Sequence, residues 1–284
     1  MYICHMILMG VVNLTPDSFR EDTRAMGPEA AMKRVAALRD RGCSIIDFGA
    51  VSTRPGAADV PLEEEWRRLE SVLRCCKTAG LASQDLRHPR LRGGTTSVVG
   101  SSERETSCVE GETVGEAKPA VSIDTTRAEI VRRAYGLIGR FIVNDISAGE
   151  DDPQMLDTVA ELDLPFVAMH KRGNPQSMDS LCDYPEGIVK AVDAYFEDFA
   201  RKAERHGIRE WILDPGFGFA KTAPQNWELL ENLGAFRHFG RPILAGVADK
   251  RFTRTPNPLA PDNSGSDYAE RLAAERGADI LRVH

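Results

Sequence analysis

The chain has 284 residues, with 36 Lys and Arg against 43 Asp and Glu, for a formal charge of −7 with histidine neutral. Hydrophobic residues make up 42% and charged residues 28%. These are the proportions of a chain that packs a core, which excludes disordered and collagen-like classes. An acidic chain with no long Lys/Arg block is not a general nucleic-acid binder, although a local basic pocket for a small anion is compatible with it. No stretch approaches the roughly 18 apolar residues of a membrane span. The opening MYICHMILMGVV lacks a basic leader and runs straight into Asn13, Pro16 and Asp17, so it reads as a strand and the cytoplasm is the expected location. Cys4, Cys43, Cys75, Cys76, Cys108 and Cys182 show no CxxC spacing, which predicts free thiols and neither a zinc site nor a disulfide framework.

In chain order, MILMGVVN from Met6 predicts a first strand, PEAAMKRVAALRDRG a helix, CSIIDFG from Cys43 a second strand and PLEEEWRRLESVLRCC a second helix. From Thr78 to Lys118 the chain is rich in Gly, Ser, Thr, Arg and Glu and keeps no period. Residues 78–118 therefore read as a flexible insertion between helix 2 and strand 3. Strands follow at AVSIDT from Ala120, FIVNDIS from Phe141 and PFVAMH from Pro165. A long helical pattern, EGIVKAVDAYFEDFARKAERHG, then closes on a glycine suited to a C-cap. The last strands are WILDPG from Trp211, PILAGVA from Pro242 and DILRVH from Asp279.

Strands apolar on both faces, separated by amphipathic helices, imply parallel βαβ units and the α/β class. Eight of them in a single domain, 1–284, predict a (β/α)8 TIM barrel ahead of an open doubly wound sheet. The final strand stops at His284, so the barrel is expected to lack its last helix, its flank either covered by another subunit or left incomplete.

Most strands end in a polar or ionisable residue: Asn13, Asp124, Asn144, His170, Asp214, Lys250 and Arg282. The C-terminal ends of parallel barrel strands are where catalytic groups gather. Buried carboxylates such as Asp124 and Asp214 can each accept two N–H donors from one edge of a heterocycle, and Asn144 offers both a donor and an acceptor. GFGFAKT is not a phosphate-binding P-loop, because Ala220 and Pro215 stand where that motif needs glycine.

VVNLTPDSF, IIDFGAVSTRPGA, VSIDTT, FIVNDISAG, VAMHKRGNPQSM, WILDPGFGFAKT and ILRVH occur in this order, each at a strand end. In this the chain resembles the dihydropteroate synthase family of pterin-binding barrels, over most of its length except the insertion. The resemblance implies that Asp124, Asn144 and Asp214 bind a pterin, and that Asn13, Arg282 and His284 form an anion pocket for its diphosphate. It also implies Mg2+ as cofactor, with Asn13 as its one protein ligand. Asp17, Ser52, Thr53, Arg54 and Pro55 would lie in loops closing over the second substrate. Phe219 and Lys250 would flank that substrate, with Lys250 also approaching the pterin. The implied reaction condenses 6-hydroxymethyl-7,8-dihydropterin pyrophosphate with p-aminobenzoate, giving 7,8-dihydropteroate and pyrophosphate. Lys250, Arg282 and Asp124 are its expected catalytic residues. The implied partners are these small molecules and a second copy in a homodimer, with no nucleic acid and no membrane.

The chain departs from the family pattern in places. Ala248, Asp249, Lys250 and Arg251 stand where the family reads Ser-Arg-Lys-Ser, and Val51 replaces an acidic residue. Asp249 puts an anion in place of a cation beside Lys250 in sequence, an expected loss of roughly 1 kcal/mol or more in attraction for an anionic substrate. Arg251 offers a replacement donor for the aminobenzoate carboxylate. Three readings stay open on sequence: a working dihydropteroate synthase, a pterin-binding methyltransferase on the same barrel, and a non-catalytic homologue that binds pterin or a partner subunit.

Overall fold

The computed structural model describes residues 6–15, 27–52, 60–81, 118–173, 177–260 and 262–284. Almost all of the 78–118 stretch, together with Asp17, Thr53, Arg54 and Pro55, lies outside the described residues.

All eight predicted strands form: β1 Ile7–Asn13, β2 Ile45–Gly49, β3 Ala120–Asp124, β4 Ile142–Asp145, β5 Phe166–Met169, β6 Trp211–Asp214, β7 Leu244–Ala245 and β8 Ile280–Val283. They alternate with α1 Pro28–Asp40, α2 Leu62–Thr78, α3 Ala128–Ile138, α4 Met155–Glu161, α5 Ile188–His206, α6 Ala223–Glu231 and α7 Ser266–Arg276. Local chemistry sets several of these limits. Pro28 opens α1, where its missing N–H costs nothing. Thr222 and Gln225 close a reciprocal capping box on α6. Gly207 and Gly277 end α5 and α7 in the left-handed conformation that glycine adopts without a Cβ penalty. Among the described residues no helix follows β8.

The strands are all parallel, in the order β6-β5-β4-β3-β2-β1-β8-β7. A bridge between Leu213 and Ile243, with the Leu213 N–H donating to the Pro242 carbonyl at 2.9 Å, joins β6 to β7 and closes the ring. The expected (β/α)8 barrel is therefore the fold. β7 is shorter than PILAGVA suggested, because after Gly246 the chain already bends, with Lys250 N–H reaching back to the Val247 carbonyl.

Side chains alternate across each strand. One set, including Ile7, Met9, Ile45, Ile142, Val167, Ile212, Leu244 and Ile280, packs inside the barrel as an apolar plug. The other set, such as Phe48, Ile123, Val143 and Leu213, meets the helices in the larger cluster outside it. Two residues beyond the plug, the same inward phase becomes polar: Asp47 follows Ile45, Ser122 follows Ala120, Asn144 follows Ile142, Asp214 follows Ile212 and Arg282 follows Ile280. The apolar plug thus carries a polar layer on its C-terminal side, where the strands open into loops.

Candidate active site

Strand register brings distant residues side by side. Asn13 pairs with Gly49, Gly49 with Asp124, and Asp124 with Asn144, one row across β1 to β4. A Cβ placed on Gly49 would lie 3.7 Å from Asp124 Oδ2 and 3.8 Å from Asn13 Oδ1, so those two oxygens flank the same point. On the far side Met169 pairs with Asp214, and the Asp214 carbonyl accepts from the His170 N–H at 2.9 Å.

Beneath this row lies a residue that the sequence reading did not single out. Asp47 is fully buried; one of its oxygens accepts from Ser122 Oγ at 2.7 Å. The other accepts from Asn144 Nδ2 at 3.0 Å and from Arg282 Nε at 2.9 Å. Arg282 also donates through Nη2 to Asp124 at 3.3 Å. One guanidinium therefore spans two carboxylates contributed by β2 and β3. Burial, and then the charge on Asp47, push the Asp124 carboxyl up to about 7, against the pull of Arg282. Burial also works against the Arg282 charge, but Asp47 and Asp124 outweigh it and hold its pKa above the ordinary value.

Asp214 is stabilised within its own loop, its carboxylate accepting from the Gly216 N–H at 2.8 Å. Burial still raises its pKa, with that hydrogen bond and the Lys250 charge opposing. Lys250 reaches over from the loop after β7, its Nζ 4.9 Å from the centroid of the Phe219 ring. Burial and then Arg282 bring its ammonium down to about 8, while Asp214 and Asp124 support the charge. Asp249, by contrast, is exposed; its N–H bonds Ser266 Oγ at 2.8 Å, and its carboxylate acts on Glu270 of α7.

The β6–α6 loop is tied down from below. Lys221 is buried, and its Nζ contacts the Gly216 carbonyl at 2.8 Å, the Phe219 carbonyl at 3.0 Å and His170 Nδ1 at 2.9 Å. Three acceptors match the three N–H bonds of an ammonium. Burial, with the Lys221 and Arg172 charges, drives the His170 pKa well below the ordinary value, so the ring is neutral and its Nδ1 can accept. Gly216 is required here: its φ is +70°, and a Cβ would sit 2.0 Å from the His170 carbonyl oxygen.

Of the residues singled out on sequence, Asp124, Asn144, Asp214, Lys250 and Arg282 thus converge at the C-terminal mouth. Asn13 borders the same point, and Phe219 stands under Lys250. His284 directly follows β8, two residues after Arg282; it is half-buried, with its carbonyl accepting from Arg41 Nη1 at 2.6 Å. Ser52 is described and half-buried; Thr53 and Arg54 lie outside the described residues. Asp47 could have been found by phase, since an Asp two residues after an inward Ile and two before a strand end must face the barrel interior. Lys221 and His170 carry no comparable signal, because their pairing depends on how two loops fold together. Among the described residues no group of three or more His, Cys, Asp or Glu could hold a metal ion.

A model of the family described as "Pterin binding enzyme" matches residues 9–83 and 94–284. The chain belongs to the pterin-binding enzyme family. Within that family it is 31% identical over 287 residues to the dihydropteroate synthase of Escherichia coli (strain K12), covering 99% of this chain and 87% of that one. It is 34% identical over 286 residues to the folic acid synthesis protein fol1 of Pneumocystis carinii, covering 98% of this chain but 34% of that longer protein. Among solved structures, the Xanthomonas albilineans dihydropteroate synthase with 4-aminobenzoic acid superposes with a TM-score of 0.73 at 32% identity, over 99% of this chain and 88% of that one. This pterin-binding barrel is thus a transferase of the dihydropteroate synthase type, with a function in folate synthesis.

Proposed function

We propose that the mouth of the barrel binds 6-hydroxymethyl-7,8-dihydropterin pyrophosphate and joins it to p-aminobenzoate. The observation that carries this reading is the convergence of Asp124, Asn144 and Asp214 with the cations Arg282 and Lys250 above one apolar plug. A pterin has an exocyclic amine and a ring N–H on one edge, which a carboxylate accepts as a charge-assisted pair. Asp214 and Asp124 supply such acceptors, and Asn144 keeps one N–H and its carbonyl for the ring. Two of the five N–H donors of Arg282 hold Asp47 and Asp124, which leaves the others for the diphosphate, with Asn13 and His284 beside it.

In the reaction the C–O bond at the pterin methylene breaks, and diphosphate leaves with the electron pair. The amine nitrogen of p-aminobenzoate forms the new C–N bond and loses a proton. Arg282 stabilises charge on the departing oxygens, and Lys250, over the Phe219 ring and supported electrostatically by Asp214, serves where the two substrates meet. Positioning and electrostatics suffice, with no covalent enzyme intermediate. Asn13 would hold a magnesium ion there, which would supply charge neutralisation for the leaving diphosphate. Cys43, Cys75 and Cys76 are free thiols, which supports a cytoplasmic setting; the homodimer is supported by family resemblance alone.

The test is to mix the chain with the dihydropterin pyrophosphate, p-aminobenzoate and magnesium and follow diphosphate release. Release that is lost in Lys250→Ala and Asp124→Asn is the expected result. Pterin binding without release would establish a non-catalytic binder, and folate-dependent methyl transfer to a corrinoid protein would establish the methyltransferase.

A further inference from the structure

Asp47 occupies an unusual place. It lies one inward step below the row that faces the ligand, is fully buried, and spends both oxygens on neighbours from three other strands. Ser122 is a plain hydrogen-bond partner, but the other two, Asn144 and Arg282, belong to the pterin and diphosphate sites proposed above. We propose that Asp47 is a positioning residue that orients both the Asn144 amide and the Arg282 guanidinium for the substrate.

A primary amide can flip end for end at little cost unless a neighbour distinguishes its two ends. Both Asp47 oxygens already accept, so Asp47 selects the orientation in which Asn144 turns Nδ2 toward it at 3.0 Å. The carbonyl oxygen and the second N–H are then presented together to the ligand. Arg282 is held in the same way. Its Nε is drawn down to Asp47 and its Nη2 across to Asp124, which fixes the plane of the fork. Because one oxygen of Asp47 receives both Asn144 and Arg282, the two ligand-facing groups are coupled through a single atom. The hydrogen-bonded Ser122 hydroxyl steadies the other oxygen from β3. Recognition of the ring and recognition of the diphosphate thereby share one anchor that touches neither.

This inference rests on the pterin reading of the site, and the experiment separates the two. Wild-type chain is titrated calorimetrically with 6-hydroxymethyl-7,8-dihydropterin pyrophosphate and magnesium, and steady-state constants are measured for both substrates. No wild-type binding refutes the pterin reading itself. Given wild-type binding, Asp47→Ala should weaken the pterin substrate at least tenfold while the KM for p-aminobenzoate stays within twofold, a split that general loosening of the fold does not produce. Asp47→Ala removes the oxygen that receives both Asn144 and Arg282. If that variant does not fold, Asp47→Ser leaves room for a water and is expected to show the same split. In an Asn144→Ala background the loss caused by the Asp47 substitution should shrink at least threefold, because one of the two groups it orients is gone. A folded Asp47 variant with wild-type pterin affinity overturns the proposal, and so does an equal loss in both backgrounds.

Discussion

Affinity for a pterin that carries no phosphate should climb between pH 6 and pH 8. Asp124 has to be ionised to accept N–H donors from the ring, and burial beside Asp47 puts its pKa at about 7. The carboxyl passes from mostly protonated to mostly ionised across this range, so the association constant should rise several-fold. The Asp214 carboxyl is also raised by burial, which adds to the same trend. Lys250, brought down to about 8, loses its charge above that point and should turn the rise into a maximum near pH 7.5 to 8. The assay is calorimetric titration at constant ionic strength without magnesium, using a ligand whose own phosphates cannot titrate. Asp124→Asn should bind weakly and show a much flatter profile on the acid side. A wild-type affinity constant within twofold from pH 6 to pH 8 would falsify the assignment of Asp124 as an ionising acceptor for the ring.

Other consequences are open to direct measurement. Lys221→Met leaves the Gly216 and Phe219 carbonyls and His170 Nδ1 without their donor, a cost of about 1–3 kcal/mol for each acceptor left unsatisfied, read by urea unfolding at pH 7. Burial lowers the folded pKa of Lys221 to about 7, so between there and the unfolded value the native state binds fewer protons and stability rises with pH. The wild type should therefore gain up to roughly 1 kcal/mol per pH unit more than Lys221→Met from pH 7.5 to 9.5; parallel slopes would mean that burial leaves the Lys221 pKa unlowered. Gly216→Ala must place a methyl 2.0 Å from the His170 carbonyl at a positive φ, and thermal unfolding should show a loss of more than about 2 kcal/mol. Asp249→Asn should leave the KM for p-aminobenzoate within about twofold, because this exposed carboxylate acts on Glu270; a larger fall would put its charge back beside the substrate.

The barrel was legible because each strand is an apolar run short enough to exclude a helix and is followed by a helical period. β7 is the exception that shows the limit: Gly246 and the bend to Lys250 cut a seven-residue pattern to two paired residues. The polar row at the mouth was legible as well, since strand ends in a parallel barrel share one rim, and Asn13, Asp124, Asn144, Asp214 and Arg282 all fall there. What lies beneath the rim was harder to read. Asp47 is embedded in IIDFG, and composition does not reveal that its partners come from positions 122, 144 and 282. In the sequence Lys221 stands only within GFGFAKT, which lacks the glycines of a phosphate loop. Its role follows from three-dimensional coincidence of the Gly216, Phe219 and His170 acceptors. The sequence change at Asp249 illustrates the reverse case, where adjacency to Lys250 in the chain suggested a shared environment. A positive φ of 55° at Asp249 accompanies an exposed carboxylate that acts on α7.

The most direct test of the central claim is a crystal structure with a dihydropterin bound. The ring edge should lie within roughly 3.2 Å of carboxylate oxygens of Asp214 and of an Asp124 or Asn144 side-chain atom, with Arg282 at the rim. A ring seated elsewhere, for example in the surface cleft between Gly149, Leu156 and Arg205, would contradict it.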